Sequence, residues 1–235
     1  MRKYGKIYNE YVCRRGICVI KAVLFDMDGL LLDTEKLLVR FWQEAAREEG
    51  FDMTREIALN IRSMHRSFAI PYLKSVLGDD FDYLKTRSLR MELMSDYLAE
   101  NGLELKKGAK ELLTYLNENK IPAAVATATD SERAEKYLKE TGIFGYFDKI
   151  ISATMVKEGK PKPDIYIYAA KQLGLEPWEC AALEDSPNGV KSAASAGCRT
   201  IMVPDLTEPD EELSRIIAAR ADSLEDVIEI IGNLK

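Results

Sequence analysis

Short apolar runs that stop at polar residues recur along the chain. The run Lys21–Phe25 (KAVLF) contains branched apolar residues and ends at acids and Gly29, as a buried strand does. Four further runs have the same form, and sequence with helical features follows them: Pro122–Thr127, Phe147–Ser152, Cys180–Asp185 and Arg199–Pro204. Strands that alternate with helices predict an α/β fold, with a Rossmann-like parallel sheet covered on both faces.

Helix start signals follow three of these strands. Thr129–Glu132 (TDSE) has the form of a capping box. Pro163 and Pro187 suit the first turn of a helix, and the apolar spacing after each proline ends at Gly174 and Gly197. We therefore expect a helix directly after the second strand, after Lys162 and after Asp185.

One segment breaks the alternation and predicts an inserted domain. Four patterns of helical spacing, with no strand between them, cover residues 37–50, 55–65, 68–78 and 81–102. We interpret residues 35–105 as an all-helical cap, in whose core Phe41 and Trp42 are expected. Residues 19–34 and 106–235 then form the sheet-containing core, and hinges are predicted at 33–35 and 103–108.

Composition excludes several classes of protein. Over 235 residues the chain is 46% hydrophobic and 31% charged, and it has no continuous apolar stretch of about 20 residues, so we do not expect it to span or bind a membrane. A net charge of −6 argues against a nucleic-acid partner. Four cysteines without a C-x-x-C pair, and His65 as the only histidine, argue against zinc. We expect free thiols, a cytoplasmic location, and a monomer or weak dimer.

Residues 1–18 are a basic N-terminal extension. Lys21 interrupts the apolar run that follows and no small-residue cleavage site succeeds it, so the pattern differs from that of an export signal. The regular pattern begins near Val19, which raises the hypothesis that translation starts there.

Polar residues follow the predicted strands and should meet at one edge of the sheet. Ligands of open parallel sheets bind at the carboxyl ends of the strands. The residues at those ends are Asp26, Asp28, Thr127, Lys160, Glu184 and Asp185. A cluster of carboxylates without histidine or thiolate favours Mg²⁺, which pairs with phosphate oxygens in proteins. The sequence therefore predicts a Mg²⁺ site for a phosphorylated small molecule.

The two acids after the first strand suit different tasks. A metal-bound Asp26 stays ionised and can attack phosphorus to give an aspartyl-phosphate. Asp28 can protonate the leaving group and then accept a proton from the hydrolytic water. Lys160 and Thr127 can offset the charge of the phosphoryl group and donate hydrogen bonds to it.

Four motifs in order resemble those of the haloacid dehalogenase superfamily: FDMDGLLLDT, ATATDS, GKPKPD and LEDSPNGV. The resemblance extends from Val19 onwards and is similar to the beta-phosphoglucomutase-like and pseudouridine 5'-phosphatase-like branch, whose members have a small helical cap. It implies Asp26 as nucleophile, Asp28 as acid and base, and Mg²⁺ held by Asp26, the Asp28 carbonyl and Asp185. It further implies Glu184 as an additional acid near the metal, and Thr127, Ala128 and Lys160 as the phosphate site.

Other polar residues have two interpretations. Arg62, His65 and Arg66 are spaced so that one helix face would present them to substrate, or they form a solvated face. We expect Asp33 and Thr34 to cap the first helix of the insert, and Tyr166 to pack or to lie on the surface.

Three functions remain open. Asp28, two residues after the nucleophile, points within the resembled superfamily to phosphate esters rather than to dehalogenation. The first predicted function is therefore that of a Mg²⁺-dependent phosphatase, whose substrate is a sugar phosphate or a nucleoside-like monophosphate. The alternative is a phosphomutase like beta-phosphoglucomutase, which would be expected to have a histidine near the position of Leu38. The third is a non-catalytic binding protein on the same fold.

Overall fold

The computed structural model describes residues 20–233. The predicted basic extension, Cys13 and Cys18 lie outside these residues, whereas Cys180 and Cys198 are buried free thiols as expected. No helix in the described part of the chain is long and apolar enough to cross a membrane.

A six-stranded parallel sheet forms the centre of the molecule, and the α/β prediction is confirmed. Its strands are β1 (Ala22–Phe25), β2 (Ala123–Thr127), β3 (Lys149–Ser152), β4 (Cys180–Glu184), β5 (Arg199–Met202) and β6 (Ala219–Arg220). The spatial order is β3-β2-β1-β4-β5-β6, and all pairs are parallel. The order reverses at β1, so the residues that follow β1 lie at the central crevice of the sheet.

Ten α-helices accompany the sheet in residues 20–233. They are α1 (Glu35–Glu48), α2 (Arg55–Asn60), α3 (Arg66–Leu77), α4 (Tyr83–Asn101), α5 (Ala109–Glu118), α6 (Ser131–Glu140), α7 (Asp164–Gln172), α8 (Pro187–Ala196), α9 (Glu211–Ile216) and α10 (Leu224–Asn233). Three short 3-10 helices also occur: Phe144–Tyr146, Ala153–Met155 and Pro177–Glu179.

Alternate residues of the central strands pack on opposite faces of the sheet, because side chains alternate along a strand. Val23 and Phe25 contribute to the cluster that includes α5, α6 and α10 residues, and Ala22 and Leu24 contribute to the cluster that includes α7 and α8 residues. Both clusters are apolar, which explains why the strand sequences are continuous apolar runs.

Helices α1 to α4 have a hydrophobic cluster of their own. It includes Trp42, Leu73 and Phe81, and Phe41 is buried nearby, as the sequence predicts. The two chain segments that join these helices to the sheet run side by side: the Asp33 amide donates to Glu104 O (2.9 Å) and the Lys106 amide donates to Leu31 O (2.8 Å). The predicted hinges therefore lie close together, although the domain limits stay a prediction.

Several local predictions are wrong. The helix predicted over 55–65 ends at Asn60, because the chain turns away at Ser63, whose φ is +54°. The N-cap of α6 is Asp130 rather than Thr129, and Pro163 precedes α7 as its N-cap residue. Pro187 is the first residue of α8, as predicted.

Candidate active site

The carboxyl ends of β1 and β4 bring three buried carboxylates together. Asp26 follows β1, its amide donates to Leu183 O (3.0 Å), and Glu184 and Asp185 follow on the neighbouring strand. One oxygen of each of the three acids lies within 4.8 Å of the others. Like charges at this spacing repel in a buried site unless a cation or a proton offsets them.

Lys160 supplies part of that positive charge. Its Nζ lies 2.5 Å from Asp26 Oδ1 and 2.6 Å from Glu184 Oε1, and it is buried with them. Burial lowers the pKa of Lys160, but the two carboxylates outweigh burial and hold this pKa above its ordinary value. Lys160 therefore remains protonated and links β1 to β4.

The unshared carboxylate oxygens fit a divalent cation. Within residues 20–233, Asp26 Oδ2, Glu184 Oε2 and both oxygens of Asp185 are buried and have no hydrogen-bond partner. Buried polar atoms normally have partners, so these oxygens are arranged for a group that binds all of them. Hard oxygen donors from carboxylates are the ligands that Mg²⁺ uses.

Asp28 occupies a different environment from Asp26. The hydroxyl of Thr34 donates to Asp28 Oδ1 and the hydroxyl of Thr129 donates to Oδ2, both at 2.7 Å. Thr34 precedes α1 as its N-cap residue, but its side chain makes no cap hydrogen bond. Thr34 therefore orients Asp28, which corrects the prediction that it acts as a helix cap.

Burial changes the proton affinity of the acids. Burial raises the pKa of Asp26 to about 7, although Lys160 acts in the opposite direction. Burial, with Glu35 next in importance, also raises the pKa of Asp185 well above its ordinary value. Without a bound cation these groups hold protons at a pH where exposed aspartates are ionised.

Two close approaches need glycine. A Cβ on Gly29, whose φ is +84°, would lie 2.4 Å from Asp185 Oδ2. A Cβ on Gly189 would lie 1.9 Å from Glu184 Oε2. Both glycines leave room for the acids, so side chains at these positions would displace the carboxylates.

Residues of the helical insert close the site. Asp26 and Asp28 line a cavity of about 100 Å³ together with Ala128, Leu38 and Trp42. Two contacts join the insert to the rest of the molecule. The side-chain amide of Asn188 donates from Nδ2 to Asn60 O (3.1 Å) and to Arg62 O (2.9 Å). The main-chain amide of His65 donates to Lys160 O (2.8 Å).

The predicted arginines do not share a helix face. Arg62 lies in the turn between α2 and α3, is buried, and lines the cavity. Its guanidinium lies 3.6 Å from Glu35 Oε1 and 3.8 Å from Asp185 Oδ2. Arg66 begins α3, is exposed, and is not among the residues that line the cavity. Substrate binding by either arginine stays a prediction.

The remaining predicted residues lie at the same edge of the sheet. Thr127 is buried at the end of β2, and its hydroxyl oxygen accepts a hydrogen bond from the Thr129 amide (3.0 Å). Sequence reasoning missed Tyr166 and Glu35. The Tyr166 hydroxyl donates to Glu184 Oε1, and Glu35 is buried beside Arg62. Glu35 lies in α1 and Tyr166 lies in α7, and the sequence pattern of these helices does not indicate either contact.

Comparison with known proteins identifies the family. Residues 20–197 match the sequence profile of the family described as haloacid dehalogenase-like hydrolase. The chain belongs to this family. The four motifs that resemble the superfamily lie inside the matched range, and the predicted resemblance is confirmed.

Relatives within the haloacid dehalogenase-like family include several phosphatases. The chain is 32% identical to "Phosphorylated carbohydrates phosphatase" of Thermotoga maritima, over 77% of this chain and 84% of that protein. It is 31% identical to "Probable pseudouridine-5'-phosphatase" of Drosophila melanogaster, over 85% of this chain and 89% of that protein. These relationships identify the chain as a phosphoric monoester hydrolase of the haloacid dehalogenase-like family.

A solved structure has a similar fold. The crystal structure of CbbY from Rhodobacter sphaeroides in complex with phosphate aligns with a TM-score of 0.74 and 28% identity, over 89% of this chain and 96% of that chain. The similarity therefore includes the helical insert as well as the sheet.

Proposed function

We propose that this hydrolase is a Mg²⁺-dependent phosphatase of a small phosphorylated metabolite, either a sugar phosphate or a nucleoside-like monophosphate, and that it acts through an aspartyl-phosphate. The observation that supports this proposal is the set of contacts that the Asp26 carboxylate makes. Lys160 binds one of its carboxylate oxygens, the other has no hydrogen-bond partner among residues 20–233, and Asp26 lines the cavity.

Asp26 is the proposed nucleophile. One of its oxygens forms a bond to phosphorus while the bond between phosphorus and the substrate oxygen breaks, which leaves the phosphoryl group on Asp26. Lys160 stays close to the reacting carboxylate and offsets negative charge on the phosphoryl oxygens. Thr127 and Ala128, at the end of β2, are the further residues that we assign to the phosphate.

Asp28 is the proposed acid and base. It donates a proton to the leaving alkoxide, and it then accepts a proton from the water that attacks the aspartyl-phosphate. The hydroxyls of Thr34 and Thr129 fix the orientation of its carboxylate in both steps, since a hydroxyl can donate or accept a hydrogen bond. The products are the free alcohol and inorganic phosphate.

Mg²⁺ is the proposed cofactor because the unpartnered oxygens are all carboxylate oxygens. Asp26, Asp185 and the Asp28 main-chain carbonyl would hold it, with Glu184 as a further acid nearby. When bound, Mg²⁺ supplies positive charge that offsets the charge of the phosphoryl group and of the clustered acids.

The phosphomutase hypothesis has less support. A mutase of the resembled type is expected to present a titratable histidine from the first helix of the insert. In α1 the side chain that lines the cavity at this position is Leu38, which cannot transfer a proton. The cavity therefore favours transfer of the phosphoryl group to water.

The test is hydrolysis of p-nitrophenyl phosphate, with Mg²⁺ or with a chelator, by the wild-type protein and by Asp26→Asn. We expect activity only with Mg²⁺ and a loss of at least 10³-fold in Asp26→Asn, because removal of a covalent nucleophile commonly costs this much or more. Asp79→Asn, an exposed position in the insert, is the control and should retain activity.

Acid quenching with a labelled phosphate ester should also leave label on the wild-type protein and none on Asp26→Asn. Activity that survives Asp26→Asn would contradict the proposed nucleophile. Activity that is unchanged by the chelator would contradict the proposed cofactor.

A further inference from the structure

Tyr166 is a fully buried tyrosine whose hydroxyl contacts a charged group. It lies in α7, its exposure is 0%, and it belongs to the apolar cluster that includes Ala124 and Ala126 of β2. A buried tyrosine needs a hydrogen-bond partner for its hydroxyl, and the partner here is the carboxylate of Glu184. A phenylalanine would fill the same space without such a partner. Packing of the cluster therefore accounts for the ring, and the contact with Glu184 accounts for the hydroxyl.

The carboxylate oxygen of Glu184 that accepts from Tyr166 also binds Lys160. This oxygen, Oε1, lies 2.6 Å from Lys160 Nζ, and the same Nζ lies 2.5 Å from Asp26 Oδ1. Lys160 Nζ is also 5.3 Å from the centre of the Tyr166 ring, within the range of a cation–π contact. Tyr166 thus contacts both members of the ion pair, Glu184 through its hydroxyl and Lys160 through its ring. These contacts form a continuous chain from α7 to the proposed nucleophile.

The two donors fix the rotation of the Glu184 carboxylate. Both are directed to Oε1, so Oε2 has no hydrogen-bond partner among residues 20–233 and lies where a Cβ on Gly189 would approach it to 1.9 Å. Burial, followed by the charge of Glu184, raises the pKa of Tyr166 well above its ordinary value, so the hydroxyl keeps its proton and remains a donor. Hydrogen bonds to an ionised carboxylate are stronger than those between neutral groups. Without the hydroxyl, the carboxylate would no longer be held from two sides.

We propose that Tyr166 is a positioning residue for phosphoryl transfer and that it acts through Glu184. Its hydroxyl holds the Glu184 carboxylate so that one oxygen keeps Lys160 beside the nucleophile and the other remains available to the metal. Glu184 is one of the three clustered acids, so its orientation affects both the proposed metal site and the proposed phosphate site. The inference rests on the proposed phosphatase activity and adds to it a residue of α7 that the mechanism does not otherwise use.

Tyr166→Phe tests the hydroxyl alone, because it keeps the ring beside Lys160 and the packing of the cluster. We expect the affinity for Mg²⁺, and kcat for p-nitrophenyl phosphate at saturating Mg²⁺, each to fall about 10- to 100-fold, as loss of a hydrogen bond that orients a metal-site acid commonly causes. Isothermal titration calorimetry measures the affinity without turnover. Tyr168→Phe is the matched control and should keep both values, since Tyr168 lies on the same helix and packs against the same cluster.

A double-mutant cycle determines whether Tyr166 acts through Glu184. Residues of one hydrogen-bond network have effects that do not add, whereas independent residues have effects that do. In a Glu184→Gln background, Tyr166→Phe should therefore change the affinity for Mg²⁺ by less than about twofold, because the carboxylate that the hydroxyl orients is absent. Losses that add in the cycle would mean that the hydroxyl acts elsewhere, and they would overturn the inference.

The outcomes distinguish this inference from the proposed function. A folded Tyr166→Phe that keeps kcat and the affinity for Mg²⁺, or that loses only thermal stability, overturns the inference and leaves the phosphatase proposal intact. No hydrolysis by the wild-type protein overturns the phosphatase proposal, and the Mg²⁺ titrations then decide the inference alone. If Tyr166→Phe does not fold, the measurements are repeated with trimethylamine N-oxide, which favours the folded state. A variant that stays unfolded there assigns Tyr166 a structural role and overturns the inference.

Discussion

At the scale of single residues, Gly29 determines where Asp185 can lie. Its left-handed backbone, with φ of +84°, turns the chain away after Asp28. Its missing side chain leaves room for Asp185 Oδ2, which a Cβ would approach to 2.4 Å. An alanine at this position would therefore both strain the backbone and displace a proposed metal ligand.

Gly29→Ala should lower Mg²⁺ affinity by about 10- to 100-fold, as displacing the groups that support a ligand commonly does. Gly174→Ala is the matched control, because Gly174 has a similar φ of +72° but a Cβ there would meet nothing within 4 Å. Both variants should lose about 1 to 2 kcal/mol of stability from backbone strain. Mg²⁺ titration of the two variants compares them, and equal affinities would show that Gly29 does not support Asp185.

Glu35 gives the protein a dependence of stability on pH. Burial raises the pKa of Glu35 to about 8, although Arg62 acts in the opposite direction. The folded state therefore holds a proton that the unfolded state loses above its ordinary pKa of 4.5. The stabilisation is complete below about pH 4.5 and is lost as pH rises towards 8, by up to about 1.4 kcal/mol per pH unit.

Glu35→Gln should therefore show a smaller fall in the free energy of unfolding between pH 5.5 and 8 than the wild-type protein. Glutamine keeps the shape of the side chain but does not titrate in this range. Urea unfolding in the presence of a chelator measures this difference, with the exposed Glu48→Gln on the same helix as the control. If the free energy of unfolding changes equally with pH in the wild type and in Glu35→Gln, the pKa of Glu35 is not raised in the folded state.

The sequence predicts acids of this site better than their partners. Asp26, Asp28, Glu184 and Asp185 follow strands directly, and parallel strands end at the same edge, so their proximity follows from the pattern. Thr34, Thr129 and Tyr166 make contacts that depend on how α1, α6 and α7 pack, and a local helix pattern does not contain that information. The sequence pattern therefore predicts Thr34 and Thr129 as caps, whereas both hydroxyls donate to Asp28.

At the scale of elements, the turn between α2 and α3 forms the contact between the insert and the sheet-containing part. The side-chain amide of Asn188 donates hydrogen bonds to the main-chain carbonyls of Asn60 and Arg62. The main-chain amide of His65 donates a hydrogen bond to the Lys160 carbonyl. These long-range bonds replace helical hydrogen bonds, which explains why a pattern that continues to His65 ends as a helix at Asn60. Because residues of the insert and of the sheet-containing part line the same cavity, we expect movement of the insert to accompany substrate entry.

Asn188→Ala should shift the insert towards an open arrangement, because it removes two hydrogen bonds worth about 0.5 to 1.5 kcal/mol each. The amide of His65 should then exchange with deuterium several-fold faster, which hydrogen-exchange mass spectrometry of residues 61–66 measures. Asn101→Ala is the control, since the side-chain amide of Asn101 donates a hydrogen bond to Tyr97 O within its own helix. Unchanged exchange in Asn188→Ala would show that Asn188 does not hold the insert closed.

Short elements at the edge of the sheet are the hardest to predict. β6 has two residues, Ala219 and Arg220, and one of them is exposed. A strand of this length has no detectable alternation, and its position depends on pairing with β5. The central strands are four or five residues long and apolar, so they can be recognised from the sequence alone.

At the scale of the whole molecule, acids outnumber cations around the proposed metal site. Five acids lie close together, with Lys160 and Arg62 as their nearby cations: Asp26, Asp28, Glu35, Glu184 and Asp185. The folded protein thus has an unfavourable surplus of negative charge among these acids, and a ligand that offsets it should stabilise the fold.

Mg²⁺ should therefore raise the melting temperature. A ligand that binds only the folded state at 100 times its Kd adds about 2.7 kcal/mol, which corresponds to roughly 5 to 11 °C for a chain of this size. Differential scanning fluorimetry with Mg²⁺, against NaCl of equal ionic strength, measures the shift. Asp185→Asn removes one of the three clustered carboxylates and should abolish most of the Mg²⁺ effect, whereas Asp79→Asn in the insert should retain it. A shift of the same size in Asp185→Asn would show that Asp185 contributes nothing to binding of the stabilising ion, and it would contradict the proposed role of Asp185 as a metal ligand.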